Sequence, residues 1–133
     1  MNTGSSCLCK TPTIEKSFRN SDIVFIGKVK SIKIENNGRE GAMESERQTT
    51  VFIVTEIFEG RYTKTITTKI QTIGALCDGY KFKKNKKYLV YAKRKKFDYF
   101  DVEICSRTKP MKLVKQDEIE KLRRLKKESR TST

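Results

Sequence analysis

The sequence predicts a mainly β protein: a five-stranded Greek-key barrel, with a short helix before its first strand and an amphipathic helix after its last. Three observations carry this reading. Twelve Ile, seven Val and fourteen Thr stand against six Leu, and β-branched side chains suit a pleated, half-buried surface while losing rotamer freedom in a helix. Five segments of strand length run apolar or alternate between polar, often Gly-containing connections. After Pro110 the apolar period becomes helical. At 133 residues the chain makes about one domain.

Residues 1–6, Met1 to Ser6, read as a flexible lead, and residues 7–12 as a cysteine ribbon ending at Pro12. Thr13 can cap a short helix over 13–20, with Ile14 and Phe18 on one face. Asp22 to Ile34 is a long first strand whose start, Ile23-Val24-Phe25-Ile26, is apolar on both faces. The apolar parity changes between Val29 and Ile32, which predicts a bulge, and Gly27 predicts a bend. A long first strand that coils is what a small closed barrel requires.

Residues 35–46 are polar and predict a loop, with Asn37-Gly38-Arg39-Glu40-Gly41 as its turn and not a phosphate-binding loop. Thr49 to Phe58 is the second strand, with Phe52, Val54 and Phe58 expected on one face and Val51, Ile53 and Ile57 on the other. Thr63 to Thr72 is the third, with Ile66 and Ile70 inward. Residues 74–87 are a connection holding Cys77, Gly79 and Phe82, Tyr88 to Ala92 is a short buried fourth strand, and Tyr99 to Cys105 is the fifth. Met111, Val114, Glu118, Ile119, Leu122 and Leu125 form an interrupted helical stripe, which predicts one helix over 111–127 and a frayed tail. The chain divides into a lead (1–6), a barrel (7–109) and a C-terminal helix and tail (110–133). The partly open barrel known as the OB-fold is the most economical architecture for these elements.

The composition argues against an enzyme. There is no histidine, which removes the commonest general base, the Ser-His and Cys-His nucleophile pairs and most zinc sites. Asp117 with Glu118, and Asp101 with Glu103, read as helix and strand surface, not as acid–base machinery. No cofactor and no metal bound by the isolated protein are expected. No stretch approaches the roughly 18 apolar residues of a membrane span.

The four cysteines, Cys7, Cys9, Cys77 and Cys105, lack the spacing of a zinc knuckle and suggest disulfides. In an extended ribbon Cys7 and Cys9 point to the same face, so both could bolt it to the core. They could do so as Cys7–Cys77 with Cys9–Cys105, or in the crossed arrangement. Each link closes a long loop, a stabilisation of about 3–5 kcal/mol in the chain-entropy picture. Disulfides imply a secreted, periplasmic or cell-surface location. Residues 1–6 hold no apolar leader segment, so the expectation is that a leader is missing here and Met1 was added.

The pieces together resemble a known module. Cys7-Leu8-Cys9 opens the chain; Phe18 precedes Ser21-Asp22-Ile23-Val24-Phe25-Ile26-Gly27-Lys28-Val29; Phe52 and Val54 lead to Phe58-Glu59-Gly60; Cys77 precedes Phe82 and Tyr88-Leu89-Val90-Tyr91-Ala92; Cys105-Ser106-Arg107-Thr108 closes the set. Over about 7–108 this order resembles the netrin-like, or tissue-inhibitor-of-metalloproteinases-like, module in its compact bacterial-type form. The resemblance implies an OB-fold barrel with links Cys7–Cys77 and Cys9–Cys105. It also implies inhibition of a zinc metalloendopeptidase, in which Cys7 would grip the enzyme's zinc through its α-amine and carbonyl. Leu8 would fill the pocket beside the metal, and Cys9, Lys10 and Thr11 would line the contact ridge. Two departures bear on this. Six residues precede Cys7, so its nitrogen is an amide, and the family's third disulfide has no cysteines here.

The charge of +14 supplies the alternative function. Lys81, Lys83, Lys84, Lys86, Lys87, Lys93, Arg94, Lys95 and Lys96 contain no acid between them and interleave with Tyr80, Phe82, Tyr88, Tyr91 and Phe97. Lysine point charges suit sulfate or phosphate groups better than base edges. The partners expected for this run are sulfated polysaccharide or another anionic surface, ahead of single-stranded nucleic acid. A solvated surface is its plainest reading.

Two disulfides predict that alkylating the unreduced, denatured protein leaves its mass unchanged, and four added alkyl groups would refute the pairing.

Overall fold

The computed structural model of the chain describes residues 9–40, 43–72 and 80–131. A seven-residue helix, α1 (Ile14–Asn20), is capped as expected: the Thr13 hydroxyl accepts the Lys16 N–H at 3.1 Å. The strands β1 (Ile23–Glu40), β2 (Met43–Glu59), β3 (Thr65–Thr72), β4 (Lys87–Lys96), β5 (Tyr99–Asp101) and β6 (Lys109–Pro110) follow. A 3₁₀ turn (Met111–Leu113) and α2 (Gln116–Thr131) complete the chain.

The sheet closes on itself. Its order runs β1-β2-β3-β5-β4, and β4 pairs again with β1 through Ile23–Lys28 against Lys87–Ala92. All these pairings are antiparallel except β3 with β5, which meet in parallel at Thr68 and Phe100. This is a five-stranded OB-like barrel, with the two residues of β6 added beside Tyr88 and Leu89. Closure removes most of the exposed sheet edge.

Closure also explains the strands that read apolar on both faces. Ile23, Phe25, Tyr88, Val90 and Ala92 point into the barrel, where they meet Phe52, Val54, Ile57, Ile66, Phe82, Phe100 and Val102. The alternate residues Val24, Ile26, Leu89 and Tyr91 point outward against Phe18 of α1 and Ile119, Leu122 and Leu125 of α2. Inside, Phe82 meets Phe52 and Tyr88 edge-on, each pair of ring centres 4.8 Å apart, a geometry favoured by the ring quadrupoles.

The register is shifted where β1 bends. One shift falls between Val29 and Ser31, where the parity change predicted a bulge, and another between Ile26 and Gly27. A Cβ on Gly27 would lie 2.9 Å from the Phe25 ring and 3.2 Å from the Ile53 carbonyl oxygen, so only glycine fits.

Four expectations need correction. Residues 35–40 and 43–46 are not loop, because β1 and β2 continue pairing as a hairpin to Glu40 and Met43; backbone ladders hold polar strands that carry no apolar signal. Phe58 and Ile57 exchange faces: Ile57 joins the barrel interior and Phe58 the helix-facing layer. The register shift between Val24 and Phe25 leaves Phe58 as the extra residue and reverses the parity. The fifth strand ends at Asp101, since the chain turns at 103–106 to carry Cys105 to Cys9. The C-terminal helix begins at Gln116, because Lys109–Pro110 is held extended along β4 and Val114 is itself extended.

With no cysteines tying it down, α2 docks by its stripe. Leu122 is fully buried, Arg123 pairs bidentately with Glu56 at 2.9 Å, and Lys126 donates to the Ile57 carbonyl at 2.8 Å. Leu122→Ala should therefore cost about 2–5 kcal/mol in chemical denaturation, and a change under about 0.5 kcal/mol would mean that the helix does not pack there.

Candidate functional site

The site is built on the described end of the cysteine ribbon, residues 9–12. Cys9 is joined to Cys105 by a disulfide with Cα atoms 5.2 Å apart, and this bond excludes the crossed arrangement. Three residues on, the Pro12 carbonyl accepts an Arg107 N–H at 2.9 Å. The ribbon is thus held at two points within four residues, both on the segment that follows β5. Between those points Lys10 and Thr11 are exposed, as is Cys9. Cys7, Leu8 and Cys77 lie outside the described residues, and with them the expected Cys7–Cys77 link and the expected protease contacts of Cys7 and Leu8.

Arg107 is itself fixed from beneath. Its Nε and Nη2 donate to the two oxygens of Glu118 at 2.9 and 2.8 Å, Lys109 Nζ donates to the same carboxylate at 2.6 Å, and so does the Tyr91 hydroxyl at 2.6 Å. Glu118 is only 3% exposed. Burial alone would raise its pKa, but the hydrogen bonds from Arg107, Lys109 and Tyr91 outweigh that and bring it from 4.5 to about 2. Burial, and then the Glu118 carboxylate, hold the Tyr91 phenol well above its ordinary range. One buried carboxylate therefore connects α2, the outward face of β4 and, through Arg107, the ribbon.

This corrects the reading of Glu118 as helix surface. The signal was present in the sequence: Glu118 falls on the apolar stripe of the last helix, between Val114 and Leu122. A carboxylate at a core position needs charged partners, and Arg107 and Lys109 stand just before that helix. Asp117, by contrast, is exposed in the first turn of α2, where a negative charge suits the helix dipole.

Beside the ribbon lies a cleft of about 140 Å³ between α1, β4 and the turn after β5, lined by Pro12, Ser21, Tyr91, Lys93, Asp101 and Glu103 among others. Among the described residues, no group of three or more His, Cys, Asp or Glu side chains could hold a metal ion. No helix there is long and apolar enough to cross a membrane.

The nine basic residues of 81–96 do not form one patch. Lys81, Lys83, Lys84, Lys86 and Lys87 gather at the start of β4, beside Lys28, which pairs with Lys87. Lys93, Arg94, Lys95 and Lys96 lie within the far half of the same strand, some six residues or roughly 20 Å away. Of the interleaved aromatics, Phe82, Tyr88 and Tyr91 are core, and Phe97 is fully out in solvent.

Compared with protein families, residues 5–129 match the model described as tissue inhibitor of metalloproteinase. A comparison with curated proteins finds no match.

The Glu118 cluster makes a pH prediction. Its carboxyl has a folded pKa below the unfolded value, so its contribution is complete above about pH 4.5 and is lost as pH falls toward 2. Stability should fall by on the order of 3 kcal/mol across that window. Glu118→Gln should flatten that slope and, by leaving Arg107 and Lys109 unpaired, lower stability at pH 7 by about 3–5 kcal/mol. Urea titrations of both proteins at pH 7 and pH 3 check this, and parallel losses with pH would contradict it.

Proposed function

The chain belongs to the tissue inhibitor of metalloproteinase family, and on that premise we propose that it is an exported, non-catalytic inhibitor of zinc metalloendopeptidases acting through its N-terminal ribbon. The reading begins with the Cys9–Cys105 bond and the Arg107 contact to Pro12. A short segment pinned at both ends loses little freedom on binding, and pre-organisation of this kind is what a tight inhibitor needs.

The chemistry follows from the residues ahead of the pinned segment. Once the chain is cleaved before Cys7, that residue offers a neutral α-amine and a carbonyl oxygen. Both are adequate ligands for an open zinc position, and together they displace the water that the enzyme would activate. Before cleavage the same nitrogen is an amide whose lone pair is delocalised into the peptide bond, which makes it a poor ligand. Leu8 then supplies the apolar side chain for the pocket next to the metal, while Lys10 and Thr11 form the exposed shoulder of the ridge. The disulfides place the protein in an oxidising compartment.

Protein processed to begin at Cys7 should inhibit at least one member of a panel of zinc endopeptidases. The unprocessed chain should be at least about 100-fold weaker, and Leu8→Gly in the processed form should weaken inhibition about 10- to 100-fold, the scale of one buried Leu side chain. Inhibition assays with the three proteins decide the matter. No inhibition across the panel would overturn the function, and equal potency of the unprocessed chain would overturn the amine mechanism.

A further inference from the structure

Two turns at one end of the barrel carry features that protease inhibition does not use. The β4–β5 hairpin closes with Lys96 opposite Tyr99, so Phe97 and Asp98 form its tip. Phe97 is 88% exposed. In the adjacent turn between β2 and β3, Tyr62 is 66% exposed. Both rings line a single groove, with Arg61 and Arg94 between them. Exposed Lys64, Lys95 and Lys96 flank the two turns. One exposed apolar side chain is ordinary, but two aromatics on adjoining tips within a ring of cations make a patch.

The patch is held in shape. The Arg94 backbone N–H donates to Asp22 Oδ2 at 2.7 Å, its guanidinium donates to the Phe97 carbonyl, and the guanidinium carbon lies 4.6 Å over the Phe100 ring. At the neighbouring turn Gly60 has φ +98°, and a Cβ there would sit 3.0 Å from the Asp22 carbonyl oxygen. Neither tip must order itself on binding.

We propose that this end of the barrel docks on an anionic lipid surface, with Phe97 and Tyr62 entering the headgroup layer and Arg61, Lys64, Lys95 and Lys96 on the lipid charges. Aromatic side chains favour that layer, and each basic residue close to an anionic leaflet strengthens binding about fivefold. The rings stand at the tips of turns. A single-stranded nucleic acid instead needs a row of rings along a groove, and the candidates for such a row, Phe82, Tyr88 and Tyr91, are buried. Asp98 is the carboxylate that opposes docking at the tip. The ribbon stays free in this arrangement: Lys93 and Asp101 face its cleft, whereas Arg94 and Phe100 line this groove on the other face of the same hairpin.

The chain contains no tryptophan, so Phe97→Trp installs a single fluorescent reporter at an exposed position. With vesicles of equal parts phosphatidylglycerol and phosphatidylcholine its emission should shift to the blue and be quenched by brominated lipid. With phosphatidylcholine alone it should do neither. In co-sedimentation of the full chain with the anionic vesicles, Phe97→Ser should weaken binding about tenfold, Lys95→Glu with Lys96→Glu about a hundredfold or more, and Asp98→Asn should strengthen it. Combined reversal of Lys83, Lys84, Lys86 and Lys87 at the other end of β4 should leave the Trp shift in place. Loss of the shift in that variant would overturn the proposal. So would a Phe97→Ser protein that sediments like the parent, or a Trp reporter that responds to heparin or to a single-stranded oligonucleotide and not to vesicles.

Discussion

A carboxylate withdrawn from water has to recover its lost hydration from donors and charge, and the position of nearly every part of this protein follows from how Glu118 does so. It takes four hydrogen bonds from three side chains: Arg107 and Lys109, on the segment after β5, and Tyr91, on the outward face of β4. Arg107 has one N–H left over and donates it to Pro12. The N-terminal ribbon, the barrel wall and the C-terminal helix are therefore neighbours of one anion. The family's third disulfide is absent, and this cluster does a comparable job of fastening the tail, with a strength that varies with pH as a covalent link would not.

The barrel makes the cluster possible. Closing β1 on β4 gives these strands two buried faces. The outer face needs a cover, which α1 and α2 supply. Tyr91 lies at the boundary: its ring packs in that outer layer while its hydroxyl reaches Glu118. A phenol at that position is both apolar filler and donor. The ribbon then crosses the same region, tied by Cys9 to Cys105 two residues before Arg107. Covalent and ionic fastening thus act on one short stretch of chain, which is where the proposed inhibitory edge begins.

Much of this was legible in the sequence because apolar periodicity reports burial directly. The doubly apolar runs 23–26 and 88–92, the parity change after Val29 and the Thr13 cap all correspond to features of the structure. The parts that were not legible depend on the backbone or on charge. The hairpin beyond Ile34 is paired through main-chain groups that any polar sequence can supply. The exchange of Ile57 and Phe58 follows from a bulge whose position depends on the partner strand. Glu118 looked like one acid among many on a charged helix, although its place on the stripe between Val114 and Leu122 marked it. The run of nine basic residues looked continuous, and the length of β4 divides it into two ends with different neighbours: lysines alone at one, exposed aromatics at the other.

The central claim is that the ribbon segment and the last helix are fastened through Arg107 and Glu118 as a unit. A double-mutant cycle measures this directly: unfolding free energies of the parent, Arg107→Ala, Glu118→Ala and the double variant, in one buffer at pH 7. If the two residues act as one buried pair, the interaction energy should exceed about 1.5 kcal/mol, with the double variant no less stable than the worse single variant by more than a small margin. Losses that add to within about 0.5 kcal/mol would mean that the helix and the ribbon segment are held independently, and would contradict the account.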